Sequence, residues 1–133
     1  MRMVVWVVIL AVVAGLAYVR LAPHDVERQH QPIAQGTDTD FDGGAVRTVE
    51  GPEALLSAAD RYMQSLPRTY VLAGDVASGR ITYVTRSKII GFPDYTTLEY
   101  ADGRLKAYAR LRFGKSDLGV NRDRLEGLLA TLQ

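Results

Sequence analysis

The chemistry this chain can offer is concentrated in eight polar side chains: Arg86, Arg110, Arg112, Lys115 and Arg122, with Asp94, Asp117 and Asn121. Arg110 and Arg112 are two residues apart, a spacing that puts both on one face of a β-strand. Neighbouring guanidinium groups bind phosphate or carboxylate bidentately. Tyr95 and Tyr108 join that face in the register derived below, where their rings would cover an apolar or sugar portion of a ligand. The loop Gly114 to Val120 runs into a helix start, whose free backbone N–H groups and dipole attract anions. These ten residues form the candidate ligand-binding set, a shallow anion or lipid-headgroup site. The competing reading is structural: Asp94 and Asp117 pair with the arginines and fix the loop, as surface ion pairs commonly do.

Catalytic constellations are missing from this pattern. Both histidines, His24 and His30, fall in a polar stretch far from the cluster, and neither Ser87 nor Ser116 has a base beside it in sequence. A nucleophile without a base is weak. Asp94 and Asp117, next to arginines, would have lowered pKa values and make poor general bases. Gly114-Lys115-Ser116 is too short a fragment for a phosphate loop. Asp38 to Gly43 imitates the opening of a calcium loop, but position 12 is Val49 where a bidentate Glu belongs. The two histidines read as polar linker residues rather than metal ligands. With no cysteine in the chain, thiol catalysis, disulfides and Cys-based zinc sites are excluded. The reading is a non-enzyme with no cofactor and no metal.

The elements that must position the cluster follow from periodicity. Asp102-Gly103 is a strong two-residue hairpin signal. It sets Ala101 opposite Arg104, Glu99 opposite Lys106 and Tyr95 opposite Arg110. One face then carries Thr96, Leu98, Tyr100, Leu105, Ala107 and Ala109, continuing to Leu111 and Phe113. The other carries Tyr95, Thr97, Glu99, Lys106, Tyr108, Arg110 and Arg112, with Glu99 and Lys106 as a cross-strand ion pair. Two earlier runs, Thr69 to Gly74 and Arg80 to Ser87, predict another hairpin closed by Ala77-Ser78-Gly79. A helix opens at Pro52 and keeps Leu55, Leu56, Ala59, Tyr62, Met63 and Leu66 on one side. A last helix aligns Leu125, Leu128, Leu129 and Leu132, capped by Asn121 or Asp117. The expected fold class is α+β: helix, four antiparallel strands, helix, with both helices on one sheet face. The opposite face is left to solvent or a ligand.

Length and composition set the rest. The chain of 133 residues has room for one domain and extras. Val4 to Val19 is uncharged and apolar, flanked by Arg2 and Arg20, with Trp6 and Tyr18 near its ends. Residues 1–20 are therefore a transmembrane anchor, with a cleaved signal peptide as the competing reading. The basic residues on the two sides nearly balance; the short N-terminal tail favours export of the rest. Residues 21–45 are rich in Pro, Gly, Gln and Asp and read as a flexible linker. Residues 46–133 are the folded domain. The net charge of +1, export, and the lack of aromatics stacked along a basic strip disfavour nucleic acid as a partner.

Three runs carry a resemblance: Tyr83 to Ser87, Gly91 to Tyr95, and above all Ala109 to Arg122, a basic strand, a Gly-Lys-Ser-Asp-Leu-Gly-Val-Asn loop and an Arg-led helix. They resemble the DUF1499 family over about Val46 to Leu132. The N-terminal anchor and its Arg-Leu-Ala-Pro exit are similar to those of bacterial envelope members. The resemblance implies an uncharacterised envelope domain and no agreed activity. The expectation is a single-pass cell-membrane protein with its domain on the periplasmic side. It would bind an anionic ligand or lipid headgroup. The alternative is an accessory subunit docking on a larger membrane protein complex.

Overall fold

The computed structural model describes residues 1–132. The first helix, α1 (Arg2–Leu21), is long and apolar enough to cross a membrane, and none of its residues is buried. A single helical turn, α2 (Val26–Gln29), follows, and then β1 (Thr39–Phe41) and β2 (Gly44–Glu50). The remaining elements are α3 (Ala54–Ser65), β3 (Thr69–Asp75), β4 (Arg80–Arg86), β5 (Pro93–Ala101), β6 (Arg104–Leu111) and α4 (Val120–Thr131). The strands form one antiparallel sheet of six in the order β1-β2-β6-β5-β4-β3.

The fold class is α+β as expected, with two more strands. The β5–β6 register is the expected one, Ala101 opposite Arg104 and Tyr95 opposite Arg110. Asp102 and Gly103 both take positive φ, 55° and 77°, as their two-residue turn requires. The β3–β4 hairpin closes instead on four residues, since Asp75 faces Arg80, with Gly79 in the left-handed region. Glu99 lies opposite Lys106 but bonds Arg80 at 2.8 Å, because Lys106 Nζ is drawn to the Ile33 carbonyl.

The unexpected strand β2 pairs with β6 over seven positions, Gly44–Arg110 to Glu50–Arg104. Its alternation is broken by Arg47, which sits on the helix-covered face only 7% exposed. A buried guanidinium needs partners, and this one has Asp40 and Glu126, each at 2.7 Å. The expected domain boundary at residue 46 thus falls inside a strand.

Both long helices of the domain pack on one sheet face. Leu56, Ala59 and Met63 of α3 and Leu125 and Leu128 of α4 meet Ile81, Tyr83, Leu98 and Leu105 there. Ala45, Ala107 and Ala109, small and fully buried, let the helices approach the strands closely.

The second face is not open. Of residues 21–45, expected as a flexible linker, the stretch 22–36 lies along it as a strap, with Ala22 and Ile33 buried, while the later residues form β1 and enter β2. This strap runs antiparallel to β6, and the basic side chains of that strand, with Arg112 just beyond it, collect its carbonyl oxygens in order. Arg112 bonds Ala22 and Pro23, Arg110 bonds Gln29, Lys106 bonds Ile33, and Arg104 bonds Gly36. This strap explains why Tyr95 and Thr97, on the supposed solvent face, are each 1% exposed.

Candidate functional site

The ten candidate residues fall on two sides of the sheet. On the strap side, Arg110 and Arg112 point the same way, as period two requires. The Arg110 guanidinium lies 4.6 Å from the Tyr108 ring centre and 5.6 Å from that of Tyr95. It donates to Thr97 Oγ1, the Tyr108 carbonyl, and both the carbonyl and side-chain oxygens of Gln29. Those bonds use its four terminal N–H groups, so Arg110 holds the strap and leaves only its Nε proton for a ligand. Burial lowers its pKa to about 10. Arg112 donates to the Ala22 and Pro23 carbonyls and contacts His24 Nδ1 at 3.2 Å, and it keeps free donors. Among the described residues, neither arginine has a carboxylate within ion-pair distance.

Arg86 closes the same side from β4, donating to the Gly91 and Val19 carbonyls, the second of them in α1. His24, read from sequence as a polar linker residue, sits at the centre of this region. Its Nδ1 meets Tyr95 Oη at 2.7 Å, and its Nε2 meets Tyr70 Oη at 3.1 Å and Arg86 at 3.5 Å. Burial, then the charges of Arg112 and Arg86, push its pKa below the ordinary 6.5. That neighbourhood favours a neutral ring and repels a metal cation. His30 is likewise fixed, to Thr82 Oγ1 at 2.8 Å.

Asp94, Asp117 and Asn121 lie on the helix side. Neither capping candidate occupies the N-cap of α4, which is Gly119; the Asp117 carboxylate, two residues earlier, accepts the N–H groups of Gly119 and Asn121, at 2.9 and 3.0 Å. Burial alone would raise its pKa, but these donors outweigh it and hold the carboxyl below the usual range. Asn121, fully buried, donates to Asp94 at 3.2 Å and accepts from Arg124. Arg124, which the sequence reading missed, lies 3.7 Å from Asp94. Arginine neighbours were expected to lower Asp94; burial dominates and raises it, with Arg124 and Asn121 opposing. Lys115 and Arg122 are exposed, Arg122 reaching only Asp123 at 3.6 Å. The helix-side polar group therefore ties α4 to β5 and does not join the arginines of β6.

The calcium-like run has no loop–helix context either. Asp38 accepts the backbone and hydroxyl donors of Thr48, Asp40 pairs with Arg47, and Thr39–Phe41 within the run forms β1.

A cleft of about 560 Å³ remains on the strap side, walled by Tyr95, Tyr108, Arg110 and Arg112 from the sheet and by Arg28 and Gln29 from α2. Asp25 adds one carboxylate to its rim, and Tyr18, in the last turn of α1, closes one end. Arg28, Gln29 and Tyr18 had no signal in the sequence as site residues, because their place depends on the path of the strap. The period-two row at 106, 110 and 112 was visible, but not its continuation to Arg104 or what it would bind.

Residues 20–132 match the family described as a protein of unknown function (DUF1499). No curated protein matches the chain.

Proposed function

Given that the chain belongs to the DUF1499 family, whose function is unknown, we propose that it is a membrane-anchored, non-catalytic module that binds an anionic ligand, the headgroup of a lipid in the leaflet into which α1 emerges. The domain lies on the extracytoplasmic side in this reading. The observation that carries the proposal is the pair Arg110 and Arg112, aligned on one wall of a cleft with no carboxylate within ion-pair distance of either among the described residues, and with Tyr18 of the anchor helix at its edge. Positive charge left unneutralised in a partly desolvated cleft is an anion site by Coulomb's law. Arg112 and the exposed Arg28 supply the donors. Arg110 holds the wall and contributes its charge, and the tyrosine rings flank the glycerol or sugar portion.

The full chain in neutral detergent should gain thermal stability with short-chain phosphatidylglycerol and not with phosphatidylcholine, since a ligand that binds only the folded state raises the melting temperature. Arg28→Gln with Arg112→Gln should abolish the gain while leaving the ligand-free melting curve cooperative. An equal gain with inorganic phosphate alone would identify a free anion as the ligand. No gain with any anion defeats the proposal. In that event, co-purification of a membrane complex that is lost on the same substitutions would favour the accessory-subunit alternative.

A further inference from the structure

Two loops at one end of the sheet present large apolar side chains to the outside. Ile89 is 82% exposed, Ile90 38% and Phe92 40% in the β4–β5 loop; Leu118 is 92% and Val120 51% exposed in and just after the β6–α4 loop. The loops are neighbours, lining one cavity with Phe92 and Ser87 on one side and Ser116 and Val120 on the other. They are also built to hold their shape. Ser87 Oγ accepts the N–H groups of Gly91 and Phe92, and Asp117 and Ser116 accept those of Gly119 and Leu118. Leu118 holds a left-handed φ of 55°, which leucine disfavours, while its side chain stays in the open.

The place of this edge identifies its occupant. Residues 2–17 of α1 are exposed, so the domain sits at the C-terminal end of the helix. There Arg20 donates to the carbonyls of Ile89 and Ile90, at 2.7 and 3.0 Å, and Tyr18 packs edge-on against Phe113 at 6.0 Å. The loop tips are thereby pinned beside the point where an anchor helix leaves the hydrocarbon. Lys88 and Lys115, both exposed, flank the apolar tips, as cationic residues do on surfaces that meet anionic headgroups.

We infer that this edge is a membrane-contact surface: Ile89, Ile90, Phe92 and Leu118 insert into the bilayer interface beside α1, holding the domain at a second point. The surface fits lipid rather than a protein partner because its centre is continuous with the membrane end of the anchor. The inference rests on α1 as a spanning helix and not on any ligand in the arginine cleft.

The chain has no cysteine and a single tryptophan, Trp6, in α1. The full chain is reconstituted into vesicles of phosphatidylcholine with phosphatidylglycerol. Ile89→Cys, Leu118→Cys and, at the far end of β5, Ala101→Cys each carry an environment-sensitive fluorophore. Labels at 89 and 118 should shift to the blue and lose emission to lipid-borne quenchers, and the label at 101 should do neither. If 89 and 118 behave like 101 while Trp6 is quenched, the anchor spans but the edge stays out of the bilayer, and the inference fails alone. If Trp6 is not quenched either, the anchor reading falls with it. Should the labels shift in detergent only at high protein concentration, a second copy covers the edge and the lipid assignment is wrong.

Discussion

His24 turns a residue that looked like solvated chain into the hub of a buried polar contact. Its ring is flanked by two tyrosine hydroxyls and two guanidinium groups, and its pKa, like that of His30, is pushed below 6.5, first by burial. The sign of the pH effect follows. Above pH 6.5 the ring is neutral whether folded or unfolded, and the domain has its full stability. As pH falls below 6.5, the unfolded chain takes up protons that the folded ring resists, so stability drops until the folded pKa is reached. Melting temperature should therefore decrease from pH 7 toward pH 5, and the slope should flatten in His24→Gln combined with His30→Gln. A slope unchanged in the double variant would place the titration elsewhere. Arg110 shows the same contrast between residue type and use: chosen from sequence as a ligand donor, it spends its terminal N–H groups on the protein.

At the scale of elements, the β5–β6 hairpin was legible because everything that specifies it is local. A turn dipeptide sets the register, and a one-residue slip would move Glu99, Lys106 and Arg110 into the helix-covered core. The two long helices were legible from their apolar stripes. The start of α4 was ambiguous, since Asp117 and Asn121 both suit a cap; the structure puts Gly119 at the N-cap, has Asp117 accept the first N–H groups from just outside it, and buries Asn121 against Asp94. Asp117→Ala should lower stability by about 0.5–2 kcal/mol, the usual cost of losing such a side chain at a helix start. The midpoint of urea unfolding reads this directly. Asn121→Ala should cost more than a surface change, because the buried Asp94 carboxylate would lose a donor. β2 was not legible: Arg47 interrupts its alternation, and its partners Asp40 and Glu126 come from opposite ends of the domain.

At the scale of the whole molecule, the sheet is covered twice, by helices on one face and by the strap on the other. The strap belongs to the folding unit. Ile33 is buried, the side chains of β6 and Arg112 bond its backbone carbonyls along its length, and His30 bonds Thr82 of β4. A chain beginning at residue 22 should melt cooperatively, with a transition close to that of the full domain. One beginning at residue 46 should lose the cooperative transition, because it exposes Val84 and Tyr95 and removes the start of β2. Circular dichroism melting of the two distinguishes them, and equal transitions would mean that the strap adds nothing to the fold. The same architecture narrows the functional surface. The arginine face is covered except at the cleft near α1, and the loop edge with Ile89 and Leu118 lies at that end as well.

Periodicity and turn chemistry act between residues close in the chain. For that reason the residue order alone determined the apolar N-terminal helix, the 102–103 turn with its register, the shared face of Arg110 and Arg112, and the α+β class. The placement of residues 22–36 depends on bonds from side chains to backbone carbonyls some 70 to 90 positions away, as from Arg112 to Pro23. No local pattern encodes which carbonyl a guanidinium will meet. Only the folded chain decided that the cationic row of β6 is mostly a clasp, that Asp94 and Asp117 lie across the sheet from it, and that the unoccupied donors gather where the chain leaves α1.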